Sequence, residues 1–467
     1  MKVCLVVEGA YPYVNGGVAN WVQQLILSMP EVEFSVQIIS SNREEKKEIK
    51  YKVPDNVTEM REVYLLDQDI VKRNKRNRVK LNAREYEAFR SLMFGDQVDW
   101  SIIFDYFHNH QVSTNDLLAS EDFLNMTAEY YKSNFERVIF NDFLWTMRSM
   151  YLPLFTVLKG ELPQADIYNS VSTGYAGILA CYAHHVYNKP VVISEHGIYT
   201  REREEEIIKS KWVEGLYKDL WISQFKKIST CCYDSADRVV SLFKDARDFQ
   251  IELGCPKEKT MIVPNGVDAS RFEGIPQKDP DDKFINVGAV LRVTPIKDVK
   301  TLISGFALAK QNNPKLKLWI MGGMDESPEY AQECRELVDE LGTTDVVFTG
   351  MVNIKDYIGK MDFLVLSSIS EGQPLSILEG FSAKKPYIAT NVGNCAGMIR
   401  GEADDFGSAG FVVPVMNVGK MAEAMSKMSK DENLRKTMGE AGYKRAVANS
   451  AKDAYRKYFD MYQEIYV

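Results

Sequence analysis

The feature that most constrains this chain is an alternation of short apolar runs with longer helix-patterned stretches. Val3–Val7 is apolar at every position, the pattern of a strand buried on both faces of a parallel sheet. A loop with Gly16-Gly17 follows, then Trp21, Val22, Leu25 and Met29 at helical spacing, then a second run at Phe34–Ile39. The rhythm resumes with strand-like runs at Ile167–Ser170, Val191–Ser194, Arg238–Ser241 and Thr260–Val263, and helix patterns at 174–187, 212–233 and 243–253. It begins again with runs at Phe284–Val290, Leu316–Met321, Val346–Thr349, Phe363–Leu366 and Pro386–Thr390, separated by helix patterns at 299–310, 328–341, 354–361 and 374–383. Strands alternating with helices imply βαβ units and parallel sheets. The chain is therefore expected to be α/β, with two doubly wound domains in tandem.

The polar segment 273–283, with two prolines, is the best linker. It divides an N-terminal domain at 1–278 from a C-terminal domain at 279–449, with a helix at about 450–467 expected to pack back on the first. Ligands of doubly wound sheets bind beyond the carboxyl ends of the strands, so a cleft between two Rossmann-like domains is the expected site. Residues 43–80 are polar, with a basic stretch at Lys72–Lys80, and read as solvated loop and helix surface. Residues 81–160 are rich in Phe, Tyr, Trp and Met and poor in Gly and Pro. They predict several helices, a helical insert at about 70–160 in the N-terminal domain.

Bulk properties narrow the function classes. A net charge of -8 over 467 residues argues against a nucleic-acid partner. The seven cysteines are odd in number and irregularly spaced, which argues against a disulfide framework and for a reducing compartment. No paired Cys-x-x-Cys motifs offer a zinc site. The run Val3–Val7 is too short for a signal peptide, and no apolar stretch approaches the roughly 18 residues of a membrane span. A cytoplasmic protein is expected, peripheral to the inner membrane only through partners.

Several loops at strand ends carry candidate chemistry. Glu371-Gly372-Gln373-Pro374-Leu375 follows the run Phe363–Leu366, and Glu379 falls inside the next helix. Pro374 suits a first helical turn, and the amides of Gly372–Leu375 would then form a phosphate-binding helix N-terminus. By itself the segment reads equally as an acidic pair flanking a helix. Arg292 and Lys297 lie beyond the run Phe284–Val290 and could neutralise a diphosphate, or could be solvated loop charges. Gly16-Gly17 permits close backbone approach to a ligand or simply a tight turn. No Gly-x-Gly-x-x-Gly or P-loop sequence is present. His196 stands before Gly197 at the end of the run Val191–Ser194, whereas His108, His110, His184 and His185 read as structural. Asn265, in Asn265-Gly266-Val267-Asp268, is a turn residue or part of a cleft lining.

Together these residues resemble the retaining glycosyltransferases of family 4, which have the GT-B fold. The resemblance rests on Gly16-Gly17, His196-Gly197, Asn265-Gly-Val-Asp268, the Arg292/Lys297 pair, and Glu371 with Glu379 seven residues beyond. Two stretches, Glu8–Trp21 and Ser194–Arg203, are similar to the branch that makes the Pel exopolysaccharide. The resemblance implies transfer of a sugar from a nucleoside diphosphate donor, a UDP-sugar, to a glycan acceptor, with retention of configuration and no cofactor or metal. It implies that Arg292 and Lys297 stabilise the leaving diphosphate and that Glu379 binds the ribose. Glu371, with the Gly372–Leu375 backbone, would hold the donor sugar, His196 would lie beside it, and the Gly16-Gly17 amides would approach the phosphates. It also implies a nucleotide-sugar and a glycan acceptor as partners. The density of Phe and Tyr in the insert at 81–160 points to acceptor binding or to docking on a membrane-associated polysaccharide synthase complex. A non-catalytic nucleotide-sugar-binding subunit is the alternative. A dehydrogenase lacks its glycine fingerprint here, and a pyridoxal-phosphate phosphorylase lacks a clear lysine motif.

Overall fold

The computed structural model describes residues 1–9, 11–14, 16–43, 48–66, 79–95, 97–401 and 404–466. The chain forms two compact units, Met1–Ile262 with Tyr458–Val467, and Val263–Lys457.

The first unit is built on seven strands: β1 (Lys2–Glu8), β2 (Glu33–Ser40), β3 (Val57–Tyr64), β4 (Ile167–Ser170), β5 (Val191–Ser194), β6 (Arg238–Ser241) and β7 (Thr260–Ile262). Their spatial order is β3-β2-β1-β4-β5-β6-β7 and every pairing is parallel. Parallel neighbours require crossover connections. These are supplied by α1 (Gly17–Ser28), an insert of five helices between β3 and β4, then α7 (Tyr175–Tyr187), α8 (Tyr199–Lys209), α9 (Lys218–Ser235) and α10 (Lys244–Glu252). The insert comprises α2 (Ala83–Phe94), α3 (Trp100–Asn109), α4 (Thr114–Leu118), α5 (Glu121–Asn134) and α6 (Phe140–Leu158). Asn82 and Glu85 form a capping box at α2, and Ser113 and Ser120 cap α4 and α5. Phe89 meets Tyr106 at 5.1 Å and Phe155 at 5.6 Å, edge to face, and this aromatic cluster is continuous with the buried face of α7. The insert's aromatic density is therefore largely core.

The second unit has six parallel strands: β8 (Ile285–Val290), β9 (Leu316–Met321), β10 (Val346–Gly350), β11 (Phe363–Leu366), β12 (Tyr387–Thr390) and β13 (Gly410–Val413), ordered β10-β9-β8-β11-β12-β13. Its helices are α11 (Val299–Asn312), α12 (Pro328–Glu340), α13 (Lys355–Ile358), α14 (Leu375–Ser382), α15 (Cys395–Arg400), α16 (Val418–Lys430) and α17 (Glu432–Ala448), and α18 (Ala451–Ile465) ends the chain. Strand order reverses at β1/β4 in one unit and at β8/β11 in the other. Such reversal points open a crevice at the strands' carboxyl ends.

Three elements depart from the sequence reading. β3 lies inside the polar stretch 43–80, and β13 follows Pro386–Thr390 unannounced. Both are outermost in their sheets. Edge strands carry charge freely, so VTEMREVY in β3 gives no apolar signal, whereas β13 is the apolar but four-residue run GFVV. Of the basic stretch Lys72–Lys80, residues 72–78 lie outside the described residues. Helix α8 occupies residues read only as a loop motif. The expected linker also falls inside the second unit, where Phe272 and Ile275 are buried with Leu364 and Phe381.

Arg445 organises one end of the second unit. It is 4% exposed at its side chain and holds Asp404 through two 2.7 Å bonds, while donating at 2.8 Å to the carbonyls of Met398 and Gly407. Arg445→Met should lower unfolding free energy by ~3–5 kcal/mol, because a carboxylate and several carbonyls lose their partner. Denaturant titration measures this. Arg445 holds the Asp404 carboxyl below its usual range. That contribution should be full above about pH 4, the unfolded carboxylate's pKa, and should be lost as pH falls through the lower folded value.

Candidate functional site

In the second unit the charged candidates leave the two strands at the order reversal. After β8 the chain passes Arg292 and makes a tight turn over Pro295–Lys297. Asp298 then adopts φ +46° and accepts from the Thr301 amide at 3.3 Å to start α11. Lys297 Nζ lies 2.5 Å from Glu371 Oε1, with side chains only 17% and 12% exposed. The Ser368 hydroxyl donates to the same oxygen at 2.5 Å. The Ser367 hydroxyl donates to the Lys297 carbonyl at 2.7 Å, and the Ile369 amide to the Ile296 carbonyl at 2.9 Å. The loops beyond β8 and β11 are thus stitched together, with one cation and one carboxylate held at the crevice. Arg292 is not part of this cluster. It pairs with Glu326 in the loop before α12, and both side chains are exposed.

Beyond Glu371, Gly372-Gln373-Pro374 leads into α14, whose N-cap is Pro374. The cap makes no side-chain hydrogen bond, and the first turn has no acidic residue. The helix start is therefore open to an anion. Glu379 lies five residues into α14, half-buried, and its carboxylate has no hydrogen bond or ion pair among the described residues. Burial pushes its carboxyl up, against the pull of Arg271 and Lys355. Gln373 and Asn265 bind each other. The Asn265 amide donates to Gln373 Oε1 at 2.7 Å, and Asn265 Nδ2 donates to the Gln373 carbonyl at 3.1 Å. These two candidates lock the helix entry, with half of their polar groups already used.

Gly393 and Asn394, which sequence reasoning missed, brace the same loop. Gly393 has φ +49°, and a Cβ there would sit 2.2 Å from the Glu371 carbonyl oxygen and 2.3 Å from that of Gly372. The Asn394 amide donates to the Gly372 carbonyl at 2.8 Å. A Gly-Asn pair just past the strand Pro386–Thr390 was the available signal.

In the first unit, Glu8 ends β1. It accepts from the Tyr199 hydroxyl at 3.1 Å and has Arg203 at 3.6 Å. Burial raises its pKa, opposed by Arg203, Tyr199 and the first amides of α7, those of Ala176 and Tyr175. The α7 start therefore already faces a protein carboxylate, unlike that of α14. Glu195, at the end of β5, is 3% exposed. It accepts from Thr173 Oγ1, Tyr233 Oη and Gln250 Nε2 at 2.9 Å each and from the Tyr199 amide at 3.1 Å. Four donors satisfy this carboxylate, so it fixes the turn that presents His196. The His196 ring meets Trp21 edge to face at 4.4 Å, and Trp21 meets Tyr458 at 5.2 Å. His196 Nε2 is buried without a partner. Gly16 caps α1 in an extended conformation, and a Cβ at Gly16 or Gly17 would meet nothing within 4 Å. No described neighbour requires glycine there.

Three of the four other histidines have ordinary partners: His184 the Lys189 carbonyl at 2.8 Å, His185 Asp105 at 2.8 Å, and His110 Glu85 at 3.3 Å. Among the described residues no three His, Cys, Asp or Glu side chains group as a metal site requires. Of two Asp-x-Asp spacings, Asp67/Asp69 lies outside the described residues and Asp279/Asp281 in the segment before β8. No helix among the described residues is long and apolar enough to cross a membrane.

Residues 1–258 match the family described as Domain of unknown function (DUF3492), and residues 270–445 match Glycosyl transferases group 1. The chain is similar to EpsD of Bacillus subtilis, described as a glycosyltransferase, at 30% identity over 174 residues, 35% of this chain and 43% of EpsD. It is also similar to the capsular polysaccharide biosynthesis glycosyltransferase CapM of Staphylococcus aureus, at 25% identity over 314 residues, 63% of this chain and 77% of CapM. The chain thus spans less than half the length of EpsD. Among solved structures, HepE of Anabaena in complex with UDP aligns with TM-score 0.63 and 13% identity, covering 99% of this chain and 100% of that one. At that identity the likeness is one of fold, and the fold is GT-B.

Burial lowers the His196 pKa to about 4, so the ring is neutral at pH 7. Its resonances in an NMR titration should stay unprotonated until about pH 4, and Trp21→Ala should move the midpoint toward the ordinary ~6.5. The folded pKa is the lower one, so the unfolded chain takes up this proton first. His196 therefore favours folding fully above about pH 6.5, and this contribution falls as pH drops toward 4.

Proposed function

We propose, on the premise that the chain belongs to the family of the DUF3492 domain of unknown function and that its second unit belongs to the glycosyl transferases of group 1, that the protein transfers a sugar from a nucleoside diphosphate donor to a glycan acceptor. The observation that carries this reading is the Lys297–Glu371 pair at the β8/β11 reversal, beside the open start of α14. The donor is assigned to the second unit. The equivalent helix start in the first unit, that of α7, already faces Glu8.

The transfer step must break a sugar–phosphate bond and stabilise charge on the departing diphosphate. Lys297 and Arg292 supply cations, and the amides of Gly372, Gln373 and Leu375 supply a helix N-terminus. Such preorganised electrostatic stabilisation is commonly the largest catalytic term. Glu379 accepts the ribose hydroxyls, and its carboxylate, without a partner among the described residues, is available for them. Glu371 accepts a hydroxyl of the donor sugar. The neutral His196 ring suits a hydroxyl rather than a phosphate, and the Gly16-Gly17 amides serve the same step. UDP is the proposed nucleotide, supported by the UDP bound to HepE. Retention of configuration, independence of metal, a Pel-type exopolysaccharide product, a cytoplasmic location and docking to a membrane-associated synthase complex complete the proposal. The polysaccharide product is supported by the role that CapM's name records.

Calorimetric titration with UDP-glucose and UDP-N-acetylhexosamines in EDTA tests the reading. One of them should bind, and Lys297→Ala and Glu379→Ala should each weaken it about tenfold or more, since hydrogen bonds to charged groups are worth ~1.5–3 kcal/mol. Failure of every nucleotide-sugar to bind would end the transferase reading. Binding restored only by a divalent cation would overturn its metal-independent part. Binding without transfer to any glycan would favour the non-catalytic subunit.

A further inference from the structure

Glu371 is held at one oxygen only. Lys297 Nζ and the Ser368 hydroxyl both reach Oε1, at 2.5 Å each, and no donor to Oε2 occurs among the described residues. Ser368 is fully buried, and its own carbonyl accepts from the Thr390 hydroxyl at 2.6 Å. The Ser368 anchor is therefore tied to β12 as well as β11 and is independent of Lys297. Resting on the donor site proposed above, this creates a specific problem. When Lys297 turns to a diphosphate it must leave Glu371, and the carboxylate then loses one of its two restraints.

We propose that Ser368 is a positioning residue that keeps Glu371 in register while Lys297 transfers from the carboxylate to the diphosphate. Without ligand, Lys297 and Ser368 share Oε1. With a donor bound, the ammonium moves to phosphate oxygens, Ser368 retains Oε1, and Oε2 is presented to a hydroxyl of the donor sugar. Ser368 thus couples to recognition of the sugar, not of the nucleotide. Gly393 and Asn394 hold the carbonyls of Glu371 and Gly372 from the other side, so the side chain is the part of Glu371 left to Ser368. A charge-assisted hydrogen bond is short and about twice as strong as a neutral one, enough to fix a carboxylate rotamer.

The test compares affinities for UDP and for whichever UDP-sugar the wild type binds, in wild type, Ser368→Ala and Ser429→Ala. Ser429 is a buried serine of α16, remote in sequence from the site, whose hydroxyl donates to the Ser426 carbonyl at 3.0 Å. Ser368→Ala should bind UDP within about twofold of wild type and lose about tenfold in UDP-sugar affinity, with its melting temperature close to that of Ser429→Ala. Ser368→Thr, which keeps the hydroxyl, should recover most of the loss. Equal weakening of UDP and UDP-sugar in Ser368→Ala would show a general packing role and overturn the proposal, as would an unchanged UDP-sugar affinity. If the wild type binds no UDP-sugar, the donor reading itself falls and takes this inference with it. If the wild type binds and Ser368→Ala keeps its UDP-to-UDP-sugar ratio, the donor reading stands and this inference alone falls.

Discussion

The parallel pairing of the strands is the constraint from which the rest follows. A parallel sheet buries both faces of its central strands under crossover helices, so those strands are largely apolar. Its charged groups gather mostly where the central strands end. At the carboxyl ends of β8 and β11 the order reversal keeps neighbouring loops from being covered by one crossover. Lys297 and Glu371 occupy those loops, and the Ser367 and Ile369 bonds to the Lys297 turn tie them together. The first unit repeats the rule with Glu8 at the end of β1 and Glu195 and His196 at the end of β5. There the carboxylates are already engaged by Tyr199, Thr173, Tyr233 and Gln250.

This difference gives the two units different chemical capacities on similar scaffolds. A carboxylate at a helix start competes with any anion for the same amides. Glu8 does so at α7, while α14 begins after Gly372-Gln373-Pro374 with no acid in its first turn. The second unit therefore offers cations and open amides, whereas the first offers a neutral imidazole, glycines with space around them and, in Glu195, a carboxylate with both oxygens engaged. Glu195 illustrates the point. A buried carboxylate with four donors is committed to architecture, and its role is to fix the turn that carries His196.

Central strands and their end loops were legible in the sequence because burial on both faces leaves an unbroken apolar run, as at Val3–Val7 and Phe363–Leu366. The edge strand β3 was not, since VTEMREVY needs to bury little and reads as solvated surface, and β13 was missed because GFVV is only four residues long. Helix α8 was hidden because TREREEEIIK looks like a charged loop, although Tyr199 and Ile207 anchor it. Arg292, Lys297, Glu371 and Glu379 were legible as residue types beyond strands. Their relations were not. Spacing cannot say that Lys297 takes Glu371 while Arg292 takes Glu326, or that Asn265 and Gln373 spend their hydrogen bonds on each other. Those facts depend on contacts between residues 34 to 108 positions apart. Gly393 is the plainest case, because its glycine is demanded by carbonyls more than twenty residues earlier.

The two cations of the second unit are held very differently, and this bears on their roles. Arg292–Glu326 is an exposed pair, at 39% and 52%, and such pairs contribute ~0–1 kcal/mol and weaken with salt. Releasing Arg292 to a ligand therefore costs little. Lys297–Glu371 is mostly buried, so separating it without a replacement leaves two poorly solvated charges. Lys297 should move only when an anion takes the place of Glu371 and some other donor holds the carboxylate. A diphosphate satisfies the first condition, and the Ser368 hydroxyl satisfies the second. On the proposed donor site, the pair would act as a threshold that a monoanion or a neutral sugar crosses less readily than a diphosphate, a selectivity set by the β8 and β11 loops themselves.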